Sequence, residues 1–333
     1  MRKITLFATV LMVALLASCG SATKETATPD KTDGQKATVY LTKEISPEAL
    51  VKIYHALGRT ATGKVAVKIS TGESGNPNYL KPELIKLLVD EVDGTIVECN
   101  TAYEGKRDSF EEHWQTIKDH GFLPTFKVDL MDEEGDMTIP VNDSTHIKYD
   151  IVGKHLANYD FMINLAHFKG HPMGGLGGVL KNASIGVASA NGKANIHTAG
   201  YQEVVEGLWS HVEDQDGFLE SMAAAAQAVH NFFGNGERIV YIAVMNNMTV
   251  DCDCVATPEP VKLKDYGILA SLDPVALDQA CVDIIFGMTP SEGNDNRPLI
   301  ERIKQQHGTH TIDHAAKIGL GTKDYELVNI DEK

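Results

Sequence analysis

The sequence predicts an α/β protein, with a mostly parallel sheet and helices on both of its faces. Segments rich in β-branched residues alternate along the chain with segments whose apolar residues recur at helical spacing, and this alternation is typical of parallel βαβ units. Residues 159–165 are mainly apolar, as expected for a strand that is buried on both faces. The length of the chain permits one large domain or two closely packed subdomains.

The first half of the predicted domain contains strands and helices with clear boundaries. Pro82 stands where a helix would begin, and proline is favourable at the first helical position. Gly121 follows a second amphipathic segment and is a typical residue after the end of a helix. The elements predicted here are strands over residues 64–69 and 95–98 and helices over residues 81–92 and 108–120.

An acidic segment at residues 132–136 lies between two segments with strand character, residues 126–129 and 137–140. A short polar segment between two strands favours a hairpin. Because the acidic segment lacks the spacing of a dedicated calcium loop, we expect it to be a solvated turn.

The second half alternates strands and helices in the same way. Met222 precedes a run of alanines, and alanine has the highest helix propensity. Asp273 is a good helix N-cap, and Pro274 is favourable directly after it. The elements predicted here are strands over residues 159–165, 238–245, 264–270 and 325–328 and helices over residues 217–233, 274–286, 297–306 and 313–318.

The N-terminus has the features of a bacterial lipoprotein signal. Arg2 and Lys3 precede an apolar segment over residues 5–16, which is too short to span a membrane in the mature protein. The Leu-Ala-Ser-Cys tetrapeptide that ends at Cys19 resembles a lipobox, in which Cys19 is lipidated and becomes the first mature residue. An ordinary secretory peptide with an unrelated cysteine is the alternative.

These features predict a signal peptide over residues 1–18, a flexible tether over residues 19–37 and an α/β domain over residues 38–330. The tether is rich in Ser, Thr, Lys, Asp and Gly, a composition that does not support a packed core. We expect a lipid anchor in the membrane of the bacterial cell envelope. Acidic residues are absent directly after Cys19, which favours the periplasmic face over the cell surface.

The net charge of −16 limits the classes of partner. Nucleic-acid binding needs a basic surface, so a nucleic-acid partner is not expected. No segment after the N-terminus approaches the ~20 apolar residues of a transmembrane helix. The sequence does not identify a protein partner.

Residues 166–182 carry the strongest indication of a ligand site. This segment follows a predicted strand and combines His167, Lys169, His171 and Lys181 with several glycines. Glycine lets a backbone approach a ligand closely, while histidine and lysine supply titratable or metal-binding nitrogens. In open α/β sheets, ligands bind beyond the carboxyl ends of the strands. A Gly-rich turn without function is the alternative, although such a turn does not require His and Lys together.

The same loop and its neighbours offer groups that bind a small anion. Lysines supply positive charge, and a Gly-rich backbone presents N–H groups. The segment is not a Walker loop, because no Gly-Lys-Ser/Thr follows the glycines. Lys181 and His171 are the candidate catalytic residues. The candidate ligand-binding residues are Glu73, Asn76, Arg107, Lys169, Gly177, Gly178 and Asn182.

A Cys-x-Cys pair, Cys252 and Cys254, follows the predicted strand of residues 238–245. Thiolate and imidazole ligands suit zinc or iron, whereas the close spacing disfavours a relaxed disulfide. We expect the loops to meet at one edge of the sheet and to bind a metal. The alternative is that these side chains are buried and structural. The candidate metal ligands are Cys252, Cys254, His167, His171 and His197.

Several sequence blocks together resemble the DUF362 family, whose members are often labelled iron–sulfur centre proteins. The blocks follow one order and cover most of the chain beyond the tether. The family name carries no reaction, so the resemblance leaves open whether the protein is an enzyme. The blocks are residues 72–76, 82–83, 100–107, 167–171, 177–182, 188–189, 192–193, 251–254 and 267–278.

The chain departs from the labelled members in its cysteines. Those members typically carry a ferredoxin-like insert of Cys-x-x-Cys runs, whereas residues 194–235 contain no cysteine. Two [4Fe-4S] clusters need eight thiolates, and only four cysteines follow Cys19. We therefore expect no [4Fe-4S] cluster, and we assign Cys99 and Cys281 to the core.

A second resemblance is to the lactate racemases. His171, Lys181 and His197 keep that family's spacing, with the lysine ten residues after the first histidine and the second histidine sixteen residues further on. In that family, the lysine covalently holds a nickel-pincer nucleotide and the second histidine binds nickel. The resemblance implies a related α/β domain and adds this cofactor as an alternative, although a periplasmic location makes its delivery harder.

Three hypotheses about function follow. The first is a lipid-anchored enzyme of redox or isomerase type with a metal or an anionic ligand. The second is an envelope protein that binds the same ligand without turnover. The third is a relative of the nickel-pincer racemases and epimerases.

Overall fold

The computed structural model describes residues 36–332. The predicted signal peptide, Cys19 and the predicted tether up to residue 35 lie outside the described residues. The strands of the described range are β1 (Ala37–Thr42), β2 (Val65–Lys68), β3 (Thr95–Glu98), β4 (Lys127–Leu130), β5 (Asp136–Pro140), β6 (Tyr149–Gly153), β7 (Phe161–His167), β8 (Lys169–His171), β9 (Gly175–Gly177), β10 (Ile239–Met245), β11 (Gly267–Ser271) and β12 (Tyr325–Asn329). The α-helices of that range are α1 (Pro47–Ala56), α2 (Pro82–Glu91), α3 (Phe110–Asp119), α4 (Val179–Ala183), α5 (Ala190–His197), α6 (Gln215–Phe232), α7 (Pro274–Gly287), α8 (Arg297–Gln305) and α9 (His310–Lys317).

A central eight-stranded sheet has the strand order β12-β1-β11-β10-β7-β2-β3-β4. Strand β11 runs antiparallel to β1 and β10, and the other neighbouring pairs are parallel. The pairs β5–β6 and β8–β9 are antiparallel and separate from this sheet. The predicted α/β class and mostly parallel sheet are confirmed. The chain from Lys36 onward forms one compact unit.

Helices cover both faces of the sheet, as predicted. Successive strand residues point to opposite faces, and in β2 they enter two different cores. Val65 and Val67 pack with residues of α1, α2 and α3, including Ile85. Ala66 packs on the other face with residues of α4, α6, α7 and α9, including Val179. Burial on both faces explains why β2 lacks a polar–apolar alternation.

The prediction of a hairpin over residues 126–140 is wrong. Strand β4 pairs in parallel with β3 in the central sheet, whereas β5 pairs with β6. Residue type indicates a strand but does not identify its partner. The acidic segment is also not simply a solvated turn, because Asp132 is buried. Its carboxylate accepts hydrogen bonds from the backbone N–H groups of Asn100 at 3.1 Å and Ala190 at 3.3 Å.

The first strand and helix were not predicted, although the sequence contains a signal for the helix. Ser46 caps α1 by accepting a hydrogen bond from the N–H of Ala49, and Pro47 occupies the first turn. Strand β1 begins at Ala37, the last residue assigned to the tether. No helix of residues 36–332 combines the length and apolar character needed to cross a membrane.

Candidate functional site

A cavity of about 310 Å³ lies at the carboxyl ends of β2, β3 and β7. Its wall contains residues from the His/Gly loop, the Arg107 loop and the cysteine loop, which the sequence predicted to meet at one edge of the sheet, but no residue of the predicted loop 72–76. The lining includes Lys68, Glu98, Cys99, Arg107, His167, Lys169, His171, Gly177, Gly178, Lys181, Asn182, Lys193, His197, Trp209, Cys252, Asp253 and Cys254.

A buried ion-pair network forms one wall of the cavity. Lys68, the last residue of β2, lies 2.8 Å from Glu98, the last residue of β3. The Glu98 carboxylate also accepts a hydrogen bond from the N–H of Thr71 and lies 3.4 Å from Arg107. Burial alone would raise the pKa of Glu98, but Lys68 and Arg107 outweigh it and lower the pKa to about 2. Glu98 is therefore ionised at neutral pH.

A second buried network forms around Asp253, between the two cysteines. Its carboxylate lies 2.9 Å from His167 Nδ1 and 2.6 Å from Lys169 Nζ. Burial opposes ionisation, yet His167 and Lys169 hold the pKa of Asp253 well below its usual range. The other ring nitrogen of His167 donates to the Asn246 carbonyl oxygen at 2.6 Å. Both ring nitrogens of His167 are thus held by oxygen atoms of the protein and are not free to bind a metal.

This arrangement corrects two expectations. His167 was expected to bind a metal, but it is held between a carboxylate and a carbonyl group. Lys169 was expected to bind a ligand anion, but its charge is already neutralised by Asp253. Both residues fix the position of the Asp253 loop against β7 and β8.

The loop with the cysteines packs closely on β8. Gly170 donates its N–H to the Thr249 carbonyl oxygen, and a Cβ atom at Gly170 would lie 2.0 Å from the carbonyl oxygen of Val250. Cys252 and Cys254 are joined in a disulfide, whereas the predicted metal site needs them as two thiolates. Cys99 and Cys281 are buried and free, as expected, and Cys99 also lines the cavity.

Glu73 and Asn76 hold the surrounding loops together. Glu73 accepts hydrogen bonds from the N–H of Lys106 and the hydroxyl group of Tyr103, and Asn76 donates to the carbonyl oxygen of Val255. Neither side chain belongs to the cavity wall. Both were expected to bind the ligand. The structure differs from this expectation, because their polar atoms already make hydrogen bonds within the protein.

His171 presents one N–H group to the cavity. Its Nδ1 accepts hydrogen bonds from the backbone N–H groups of Met173 at 3.1 Å and Gly174 at 2.9 Å. Burial, Lys181 and other nearby cations hold the pKa of His171 well below its usual value, so the ring is neutral. The single ring proton therefore lies on Nε2, which is 3.9 Å from Cys254 Sγ.

Lys181 lies on the short helix α4 beside the Gly-rich loop. Asp278 caps this helix by accepting hydrogen bonds from the N–H groups of Val179 at 2.8 Å and Leu180 at 3.0 Å. These two N–H groups are therefore not available to an anion. Asn182 donates to the Lys68 carbonyl oxygen and to Asn164, which fixes the orientation of α4.

Within the described part of the chain, the Lys181 ammonium group has neither a hydrogen-bond partner nor a carboxylate partner. The side chain is partly buried and faces the cavity. Burial lowers the pKa of Lys181 to about 7, and repulsion by Lys169, Lys193, Lys68 and Arg107 contributes. Near neutral pH, the charged and the neutral form of the Lys181 side chain are therefore both populated.

Lys193 and His197 come from α5 on the opposite wall. Lys193 Nζ donates to the Ala188 carbonyl oxygen, and burial lowers its pKa. His197 Nδ1 lies 2.6 Å from the Lys193 carbonyl oxygen, and its ring stacks on Phe218. Burial lowers the pKa of His197 to about 4, so this ring is neutral. His197 does not join the cluster of potential metal ligands formed by His171, Cys252 and Cys254.

The cavity wall has an excess of positive charge, in contrast to the protein as a whole. Five cationic side chains line it, against two carboxylates in the wall and a third, Glu73, which lies outside the wall 3.5 Å from Arg107. The cations are Lys68, Arg107, Lys169, Lys181 and Lys193, and the carboxylates are Glu98 and Asp253. In a low-dielectric cavity this excess favours an anionic ligand.

The sequence reasoning missed Lys68, Glu98 and Asp253 as organisers of the site. The sequence contained an indication for Lys68 and Glu98, because each is the charged last residue of a short strand that otherwise carries no charge. Charged residues at the carboxyl ends of buried parallel strands lie where ligands bind. Asp253 was noted only as a neighbour of the cysteines.

The ligands for an iron–sulfur cluster are not assembled in the described residues. Cys99 donates to the Val187 carbonyl oxygen, Cys281 lies inside α7, and Cys252 is bonded to Cys254. A [4Fe-4S] cluster needs four thiolates at one place.

Comparison with known proteins identifies one family. The profile of DUF362, a domain of unknown function, matches residues 65–283, which is more than half of the chain. No curated protein matches the sequence.

Two solved structures are similar to the chain at low identity. The lactate racemase apoprotein of Thermoanaerobacterium thermosaccharolyticum shows 17% identity and a TM-score of 0.37 over 62% of this chain. The chain spans about half of that protein, 49% of its length. A protein of Thermotoga maritima shows 10% identity and a TM-score of 0.39 over 81% of this chain and 58% of its own.

Proposed function

The chain belongs to the DUF362 family, and we propose that its cavity binds a small anionic molecule, a carboxylate or a phosphate, through Lys181 and His171. Lys181 supplies an ammonium group, and His171 supplies the Nε2–H group. A cavity of about 310 Å³ is at the small end of the range for ligand pockets.

The observation that carries this proposal is the absence of a partner for Lys181 among residues 36–332. Lys68, Lys169 and Arg107 each lie next to a carboxylate, whereas Lys181 does not. An ion pair with a ligand would supply the missing countercharge and would relieve the repulsion from the neighbouring cations. Lys181 is also suited to act as a base or a nucleophile, because a pKa near 7 leaves a fraction of its amine neutral.

We expect phosphate and lactate, titrated separately by calorimetry, to bind with affinities that fall as the pH rises. The reason is that Lys181 loses its charge above about pH 7. Binding should be at least about tenfold weaker at about pH 9 than at about pH 6. The variant Lys181→Met should lose this binding.

The matched control is Lys118→Met, which removes an exposed lysine from α3. It should bind as the wild type does. Equal binding by Lys181→Met and the wild type, or no binding of either anion at any pH, would exclude Lys181 as the anchor of a small anion.

A metal at His171, Cys252 and Cys254 is a second candidate, because their ligand atoms lie within 4.8 Å of one another. Thiolate and imidazole suit zinc or iron. The site requires a thiol reductant to convert the disulfide into two thiols. His171 must also move its proton from Nε2 to Nδ1, which costs two hydrogen bonds from the backbone. These two requirements favour the anion proposal.

Elemental analysis under reducing conditions tests the metal candidate. Wild type expressed with added zinc should carry one more equivalent of metal than Cys252→Ser/Cys254→Ser and than His171→Ala. Equal metal content in the three proteins would eliminate this candidate.

A nickel-pincer nucleotide is a third candidate, supported by the placement of Lys181 and His197 on one cavity. When bound, that group supplies hydride-transfer chemistry. The neutral fraction of Lys181 is suited to covalent attachment. A mass increment on the peptide with Lys181, absent from Lys181→Met, is the expected signature, and an unmodified peptide from the native host rules this candidate out.

We further propose that a lipid on Cys19 anchors the protein to the cell envelope, with the cavity on the periplasmic side. The lipobox and the tether support this location. The variant Cys19→Ala should leave the precursor unprocessed or release soluble protein. Unchanged partitioning of that variant into detergent with the membranes would contradict the anchor.

A further inference from the structure

We propose that Glu220, His310 and His314 form a second site, which binds a divalent zinc ion and has His146 beside it. This site lies outside the cavity and does not rest on the proposed function. It joins three parts of the chain: Glu220 on α6, both other ligands on α9, and His146 in the loop between β5 and β6.

The candidate ligand atoms already have the spacing of a metal centre. Glu220 Oε1 lies 3.0 Å from His310 Nε2 and 3.2 Å from His314 Nδ1, and the three atoms lie within 4.8 Å of one another. Ligands about 2.0–2.1 Å from a tetrahedral zinc ion are about 3.3 Å apart. The other carboxylate oxygen of Glu220 lies 2.9 Å from His146 Nε2.

Each ring nitrogen of His314 faces a carboxylate oxygen. Its Nε2 lies 2.7 Å from Asp143 Oδ2, and its Nδ1 lies 3.2 Å from Glu220 Oε1. A neutral imidazole has one N–H group, so one nitrogen would turn its lone pair toward a carboxylate. A cation between His314 Nδ1 and Glu220 Oε1 removes this conflict.

Asp143 completes a pattern that is typical of zinc sites. A histidine that binds a metal usually donates its other N–H group to a carboxylate, which fixes the tautomer and the orientation of the ring. Asp143 is placed to accept that hydrogen bond from His314 Nε2. His314 and His310 are four residues apart on α9, so their side chains project from the same face of the helix.

The burial of the cluster suits a structural ion. The His314 side chain is 4% exposed, whereas Glu220 is 20% and His310 34% exposed. The site is thus held by the protein on one side and open to solvent on the other. Because α9 lies beyond the region that matches the family profile, residues 65–283, zinc would fasten a C-terminal helix of this chain to α6 of the family domain.

The test is zinc binding by the full chain, purified without an affinity tag and stripped with a chelator. The background variant Cys252→Ser/Cys254→Ser removes zinc binding at the cavity. In that background we expect one equivalent of zinc and a rise of about 3–5 °C in the unfolding midpoint when zinc exceeds its Kd about a hundredfold. Cobalt in place of zinc should give the visible absorption of a tetrahedral site.

The variants Glu220→Gln and His310→Gln should each weaken zinc binding at least about tenfold and abolish the cobalt spectrum. His310 is the more exposed residue, so its variant keeps the test valid if Glu220→Gln does not fold. The matched control is His55→Gln, which disrupts a histidine–carboxylate pair with Glu91 at 2.7 Å on α1 and α2. It should bind zinc as the background does.

Two results would overturn the proposal. One is zinc binding that is unchanged in Glu220→Gln and His310→Gln. The other is no zinc binding in the background variant.

Discussion

The variant Glu98→Gln should lose about 3–5 kcal/mol of unfolding free energy at neutral pH, the largest loss that we expect from a single conservative change in this protein. Glutamine has the shape of glutamate and can still accept the hydrogen bond from Thr71. It lacks the charge that neutralises Lys68, which would remain buried without it, and it leaves Arg107 with Glu73 as its carboxylate partner. Denaturant unfolding of the two proteins measures the difference.

The pH dependence of this difference has a defined sign. The pKa of Glu98 is about 2 in the folded protein, against 4.5 for an unperturbed glutamate. The carboxylate therefore stabilises the fold fully above about pH 4.5, and this contribution is lost as the pH falls from there toward 2. The wild type and Glu98→Gln should become similar in stability at the acidic end of this range.

The control for Glu98 is Glu112→Gln, which breaks an exposed pair with Lys106 at 2.5 Å. Exposed pairs contribute at most about 1 kcal/mol, so this variant should be nearly as stable as the wild type. If both variants lose the same small amount, the network at the cavity does not have the energetic role described here.

The second large effect is an increase in stability. We expect Lys181→Met to raise the unfolding free energy by about 2 kcal/mol near pH 7, because the lysine is held near other cations without a countercharge. The shift in pKa alone would give more, but the side chain is only partly buried and keeps some hydration. Urea unfolding measures the change, and Lys118→Met on the exposed face of α3 should show none.

The gain should shrink at high pH. The pKa of Lys181 is about 7 in the folded protein and near 10.5 when unperturbed. The unfolded chain therefore binds the extra proton between these values, and wild-type stability rises with pH across that window. The unfolding free energies of the wild type and Lys181→Met should become equal above about pH 10.5. A variant that is less stable than the wild type at pH 7 would mean that Lys181 is satisfied by the protein itself.

The sequence predicted the sheet and most helices because these depend on local signals. Pro82 and Asp273 mark helix starts that the structure has at α2 and α7. The partner of β4 could not be predicted, since pairing is decided by contacts distant in sequence. The short pair β8–β9 could not be predicted either, because its strands are Gly-rich and lie in the loop that forms the site.

For the site, the sequence predicted which loops meet but not how their groups are paired. His167, Lys169 and Arg107 were all plausible ligand-binding residues by type. The structure gives each of them a carboxylate: Asp253, distant in sequence, for the first two and Glu98, at the end of β3, for the third. Only the three-dimensional arrangement reveals that Lys181 has no such partner among residues 36–332.

Titration of Lys181 by NMR, with isotope-labelled lysine and Lys181→Met to assign its signal, distinguishes an unpaired cation from a lysine that the protein neutralises. We expect a pKa near 7 in the ligand-free protein, and a higher pKa when phosphate is present at saturation, because the bound anion stabilises the ammonium form. A pKa that stays near 10.5 with and without phosphate would contradict the claim that Lys181 is an unpaired cation awaiting an anion.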